Sequence, residues 1–283
     1  KLSIMYTFTV VLACLACVRH AWRVQRLPLL SLGVRQRFFR CCVPALSLSD
    51  ESVQGDEDSH EEEADDMVQY VPGMVKQLFE IGVIKSERLE EAMLKINRSH
   101  YVLDRSKLKA KDVPPPGGYG GLMSVLYVNS CVLQALESHL QPGMRALDVG
   151  SGSGYITSVM GYLVSGNDAL ANTSEGLVVG IDYISEVIPL SIANVEKGPE
   201  KELLGKSIFI VQGDGWKGYP EEGPFDAIHV GAAAEDFPEA LEAQLKLGGR
   251  MVIPVGTDHQ VLYQVDKDLS GNMKRTAMFA VNC

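Results

Sequence analysis

From about residue 70 the apolar positions of the chain fall into two alternating rhythms. Met74, Leu78 and Ile81 recur at helical spacing until Gly82 interrupts the run. Ser86 is placed to cap a second helix, with Glu87 in its first turn and Leu89, Met93 and Ile96 on one face. Residues 110–121, rich in proline and glycine, are expected to form an irregular loop. Val125, Val128, Val132, Leu133, Leu136 and Leu140 then mark another amphipathic helix, ended by Pro142-Gly143. Beyond it, short apolar runs at 144–149, 177–182, 207–212, 225–230 and 250–255 read as strands with helical patterns between them. Such alternation predicts βαβ units and a parallel sheet covered on both faces. The end differs: Val261 to Val265, a turn at Ser270-Gly-Asn272, and Ala277 to Val281 predict an antiparallel hairpin.

The first part of the chain follows neither rhythm. Residues 2–18 are uncharged and mostly apolar, and the rest of 1–48 carries arginines and no acid. This reads as a targeting leader, for an organelle or for secretion, and any membrane contact is expected through it alone. Residues 49–67 are dominated by Asp and Glu, the composition of a solvated linker. That leaves 68–283 as the globular domain of a 283-residue chain with a net charge of −10. No basic stripe runs through this domain, so a nucleic acid is not an expected partner. Its thiols are Cys131 and Cys283, which is no disulfide framework and fits a reducing compartment. The pair Cys14 and Cys17 has metal-like spacing but lies in an apolar run with no second pair, so no metal is expected.

The chemistry concentrates at Arg145-Ala-Leu-Asp-Val-Gly-Ser-Gly-Ser-Gly154. Gly150, Gly152 and Gly154 follow a predicted strand and precede a predicted helix, the context of a cofactor loop. A dinucleotide fingerprint would place its third glycine one position later. Asp148, inside the strand, would repel a pyrophosphate but attract the ammonium group of S-adenosylmethionine, directly or through water. Asp182 ends the next strand, where a carboxylate can accept both ribose hydroxyls. Asp214, after the third, can accept the adenine amino group. Taken singly, the glycines could form a plain tight turn, Asp182 and Asp214 could be caps, and Asp148 a buried acid satisfied by backbone amides. Three carboxylates at consecutive strand ends suit a cationic adenosyl ligand, and a nicotinamide oxidoreductase is the remoter alternative.

Residues from about 74 to 281 resemble the protein-L-isoaspartate O-methyltransferase family. The resemblance is carried by Gly82-Val-Ile-Lys-Ser86, by Asn97-Arg-Ser-His-Tyr101, and by Gly213-Asp-Gly215. Phe225-Asp-Ala-Ile-His-Val-Gly-Ala-Ala-Ala234 and Leu245-Lys-Leu-Gly-Gly-Arg-Met-Val-Ile-Pro-Val-Gly256 complete it. It implies a Rossmann-like class I methyltransferase fold, α/β, with a mostly parallel twisted sheet and a C-terminal antiparallel hairpin. It implies S-adenosyl-L-methionine as cofactor, held by Asp148, Gly150, Ser151, Gly152, Gly154, Asp182, Tyr183, Asp214 and Gly215. Isoaspartyl peptides and proteins are the implied partners, met by Ser124, Tyr127 and His229, with Ser124 the catalytic candidate and the chain a monomer. Leu122 and Leu126 depart from the family's Thr and Pro, Ser124 could equally cap the following helix, and the segment Ser165 to Gly176 is longer than usual. A relative that binds the cofactor without catalysis, as an adaptor for damaged proteins, is the second reading. No His/Asp or Cys/His pair is expected as a base. A carboxylate of reference pKa near ~3.5 is already ionised at neutral pH.

Overall fold

The computed structural model describes residues 71–101, 118–166 and 176–281, with 118–125 as backbone. The leader, the acidic run, residues 110–117 of the expected loop and residues 167–175 lie outside the described residues.

Residues 71–80 are helical (α1) and bury Val71, Met74, Val75 and Leu78. Ile81, expected on that face, lies beyond the helix and is exposed. Gly82 adopts φ 77°, a left-handed value that stops the helix at little steric cost, and Val83 N closes the turn on Leu78 O at 2.9 Å. Ser86 caps α2 (Glu87–Lys95) as the pattern predicts, its Oγ accepting from Leu89 N. One residue earlier than the face of that helix, Arg88 ties it to the body of the molecule. Its guanidinium reaches Glu137 Oε1 at 2.7 Å and the carbonyls of Leu140 and Leu163 at 2.9 and 3.2 Å. Tyr101 ends the following turn by donating its phenol hydrogen to buried Glu200, with Ser158 Oγ 2.9 Å from the phenol oxygen.

The helix α3 spans Gly118–Leu136, so its first turns take up residues 118–121, which were expected in the loop. Its later turns bury Leu126, Val132, Leu133 and Leu136 completely or nearly so. Each such side chain contributes about 1.5–3 kcal/mol to folding. The strands then follow in order: β1 (Arg145–Val149), β2 (Leu177–Asp182), β3 (Ile208–Gln212), β4 (Phe225–Val230), β5 (Leu245–Val255), β6 (Gln260–Lys267) and β7 (Met273–Val281). Between them stand α4 (Tyr155–Ser165), α5 (Val187–Val195) and the short α6 (Glu239–Gln244). All seven strands form one sheet in the order β3-β2-β1-β4-β5-β6-β7. The first five are mutually parallel and the last two antiparallel.

The strands lie close to the predicted ranges because buried parallel strands are nearly continuous apolar runs, and β4 is buried at every position. β5 starts earlier than expected, at Leu245. Its pairing with β4 shifts register between Phe225 and Ala227, where Gly248 takes φ 81°. The hairpin turn is set by Asp268, whose Oδ1 accepts from Ser270 N and Asn272 N.

The two faces of the sheet carry separate cores. Ala146, Val178, Ala227 and Val252 pack with α1 to α4, while Leu147, Val179, Ile228 and Met251 pack with Leu241 of α6. On the first face, Gly180 pairs with Asp148 in the register, and a Cβ there would lie 2.7 Å from Thr157 Oγ1. Bare backbone at 180 is therefore what lets α4 settle onto β1 and β2. Gly180→Ala is expected to lower stability by about 1–3 kcal/mol, the usual cost of overpacking. A urea midpoint equal to that of the unmodified chain would show that the helix can yield there.

Candidate active site

Strand order reverses between β1 and β4, which opens a crevice at the carboxyl ends of the strands. The glycine loop forms its floor. Gly150, Gly152 and Gly154 take φ of 74°, 53° and 85°, values that side chains other than glycine rarely adopt. Gly150 N and Ser151 N donate to Ile181 O, and Gly231 N donates to Val149 O, so the turns after β1 and β4 are fastened to neighbouring strands. Gly215 is bare because a Cβ there would press on Val149 Cγ1, which brings the turn after β3 against β1.

The carboxylates expected at three strand ends divide. Asp182 accepts from Gly152 N at 2.9 Å and from Ile184 N at 3.0 Å, and remains half-buried at the crevice. Each of its oxygens keeps a lone pair for a ligand hydroxyl. Asp214 caps the short turn Gly215–Lys217, accepting from Trp216 N, and pairs with Lys217 at 3.2 Å, its side chain 38% exposed. Asp214 is thus the turn cap the sequence allowed, and capping leaves it acceptor capacity. Asp148 differs from its expectation. It is fully buried, and its oxygens accept from Thr157 Oγ1 at 2.5 Å and from His229 Nδ1 at 2.7 Å. A direct contact between Asp148 and a ligand is closed off.

This grouping brings a His/Asp pair together where none was expected as a base. Residues 148 and 229 lie opposite one another on adjacent strands. Asp148 spends both oxygens inside the fold, because a buried carboxylate without partners costs several kcal/mol. Between a carboxylate and an imidazole the nitrogen donates, so Nδ1 carries hydrogen and Nε2 is left, with no hydrogen bond among the described residues.

Other expected residues fall where their local structure dictates. Ser151 has its Cβ beside Gly180, and its buried Oγ has no hydrogen-bond partner among the described residues. Tyr183 is 79% exposed beside Asp182. Tyr127 lies on α3 against Phe279 of β7, ring centroids 6.3 Å apart, which places it in the packing beneath the hairpin. Burial pushes the nearby Cys131 thiol up to about 11, against a hydrogen bond with Tyr127. Ser124 falls well inside α3 and so does not cap it. Two residues were missed. Thr157, one turn into α4, supports Asp148, and half-exposed Trp216 lines a depression with Ala233, Ala234, Glu235 and Asp236. Only the hydroxyl at that helical position hinted at Thr157, whereas the turn Gly213-Asp-Gly-Trp216 could have pointed to Trp216.

The residues present suit an adenosyl ligand with a positive charge. Acceptors stand at the ends of β2 and β3, aromatic rings flank them, and the basic side chain beside them, Lys217, is engaged by Asp214.

Comparison with known proteins agrees. A family model described as protein-L-isoaspartate(D-aspartate) O-methyltransferase matches residues 69–282. Protein-L-isoaspartate O-methyltransferase 2 of Arabidopsis thaliana is 45% identical over 203 residues, which are 71% of this chain and 63% of that protein. Protein-L-isoaspartate O-methyltransferase 1 of the same plant is 41% identical over 201 residues, 71% of this chain and 84% of the relative. Among solved structures, a putative protein-L-isoaspartate O-methyltransferase from Plasmodium falciparum, in complex with S-adenosyl-L-homocysteine, superposes with a TM-score of 0.61. It is 27% identical, with 75% of this chain and 95% of that one covered. With its glycine loop, its strand-end acids and a match through all the described residues, the chain belongs to the protein-L-isoaspartate O-methyltransferase family.

Proposed function

We propose that this chain uses S-adenosyl-L-methionine to methylate the free carboxylate of L-isoaspartyl, and D-aspartyl, residues in damaged peptides and proteins, which initiates their repair. The observation that carries the reading is the crevice at the β1/β4 switch point, with Asp182 and Asp214 open at successive strand ends, in a chain that matches the family over residues 69–282. When bound, the cofactor supplies an electrophilic methyl group on a sulfonium. The residues around it then have to orient and desolvate two opposite charges that vanish on transfer. Asp182 accepts the ribose hydroxyls and Asp214 the adenine amino group. The substrate carboxylate is ionised well below neutral pH and needs no general base.

Ser124 stands as the residue that hydrogen-bonds the isoaspartyl carboxylate. Its position inside α3 and the complete burial of Leu126 are what favour the second reading, a cofactor-binding adaptor without turnover. The catalytic unit comprises 68–283 and acts as a monomer on protein substrates, without nucleic acid. Among the described residues no helix is long and apolar enough to cross a membrane. Residues 49–67 serve as a linker, and residues 1–48 as the leader and the part that can meet a membrane.

Three outcomes follow. Asp182→Ala should weaken binding of S-adenosylhomocysteine by about 1–3 kcal/mol, the worth of hydrogen bonds to a charged group. Unchanged affinity in a calorimetric titration would misplace the ribose. Ser124→Ala should lower turnover on an isoaspartyl peptide by roughly tenfold to a few hundredfold, a hydrogen bond plus misorientation. Cofactor affinity should hardly change, and the rate should stay flat from about pH 6 to 8, since the nucleophile is already ionised. A rate that titrates in this range, and stops titrating in the variant, would make Ser124 part of a proton-transfer path. Finally, deleting residues 1–48 should relocate the protein in cells while cofactor binding persists. An unmoved protein contradicts a leader.

A further inference from the structure

We propose that His229, not Asp148, meets the amino-acid end of the cofactor, and that Asp148 and Thr157 act only by holding the imidazole in place. The inference rests on the cofactor reading above and assigns one end of its site. If Asp182 takes the ribose and Asp214 the adenine, the remaining end of an adenosyl-methionine ligand lies toward β1 and β4. That end carries an ammonium group, which needs an acceptor. Asp148 has the charge for it but no exposure, and both its oxygens are engaged by Thr157 and His229.

His229 is the route by which that charge reaches the crevice. Its side chain is 10% exposed against 1% for Asp148. The ring lies under the turn after β4, where a Cβ on Gly231 would be 3.4 Å from Cε1. With Nδ1 donating to Asp148, the lone pair of neutral imidazole is on Nε2, free of any hydrogen bond among the described residues. The carboxylate behind it makes that nitrogen a better acceptor, as an acid behind an imidazole does at metal centres. Three elements converge to hold the ring: β1 supplies Asp148, α4 supplies Thr157, and Gly180 of β2 leaves the space Thr157 fills. A residue merely filling the core would need no such chain.

The test uses two ligands on the full chain. S-adenosylhomocysteine has the amino-acid end, and 5′-methylthioadenosine lacks it while keeping the adenosine. His229→Leu should weaken S-adenosylhomocysteine about tenfold or more, the loss of one hydrogen bond to a charged group, and leave methylthioadenosine binding unchanged. Asp148→Ala should show the same selectivity and add nothing in the His229→Leu background, because the two residues act as one unit. Where Asp148→Ala does not fold, Thr157→Val serves, with a severalfold loss toward S-adenosylhomocysteine alone that Thr157→Ser restores.

The assignment is overturned if His229→Leu spares S-adenosylhomocysteine, or if both ligands weaken together. It is also overturned if Asp148→Ala still costs affinity once His229 is gone, or if Thr157→Val has no effect. An unmodified chain that binds neither ligand overturns the proposed function itself. One that binds both, with His229→Leu neutral, overturns this assignment alone.

Discussion

A carboxylate with no exposure, in the middle strand of a parallel sheet, must be satisfied or it costs the fold several kcal/mol. Asp148 is satisfied from both sides, by Thr157 on the helix that follows it and by His229 on the next strand across the switch point. Those two bonds fix three things at once. They set how α4 lies on the sheet, where the glycine loop must turn between β1 and α4, and which way the imidazole faces. Gly180 belongs to the same arrangement, since any side chain there would displace Thr157.

The rest of the crevice inherits its shape from this centre. With β1 and α4 fixed, the loop between them has to double back through positive φ, and glycine is the residue that does so cheaply. Asp182 then braces the loop from β2 through Gly152 N while keeping acceptor capacity toward the crevice. The turn after β3 closes on β1 because Gly215 has no side chain to keep it away. Binding geometry here is a consequence of sheet order and of where side chains are missing.

Much of this was legible in the sequence for a physical reason. Buried parallel strands announce themselves as apolar runs, and the glycines of a tight strand-to-helix turn stand on alternate positions. What was not legible depends on contacts between distant residues. Asp148 and His229 are 81 positions apart, and nothing in either local pattern says that they touch. Asp148 was therefore read as facing a ligand when it faces the core. Ser151, placed among the cofactor residues by the resemblance, holds a buried Oγ with no hydrogen-bond partner among the described residues. Residues 118–121 looked like loop because glycine is a poor helix former. The apolar face of the turns that follow carries the helix through them.

The central claim is that this crevice methylates a misplaced carboxylate. The most direct measurement offers the full chain two peptides of identical sequence, one with an L-isoaspartyl residue and one with the normal aspartyl linkage, together with isotopically methyl-labelled S-adenosylmethionine. The account predicts a base-labile methyl ester on the isoaspartyl peptide and none on its normal counterpart. Equal labelling of both peptides, or cofactor binding with no label on either, would contradict it.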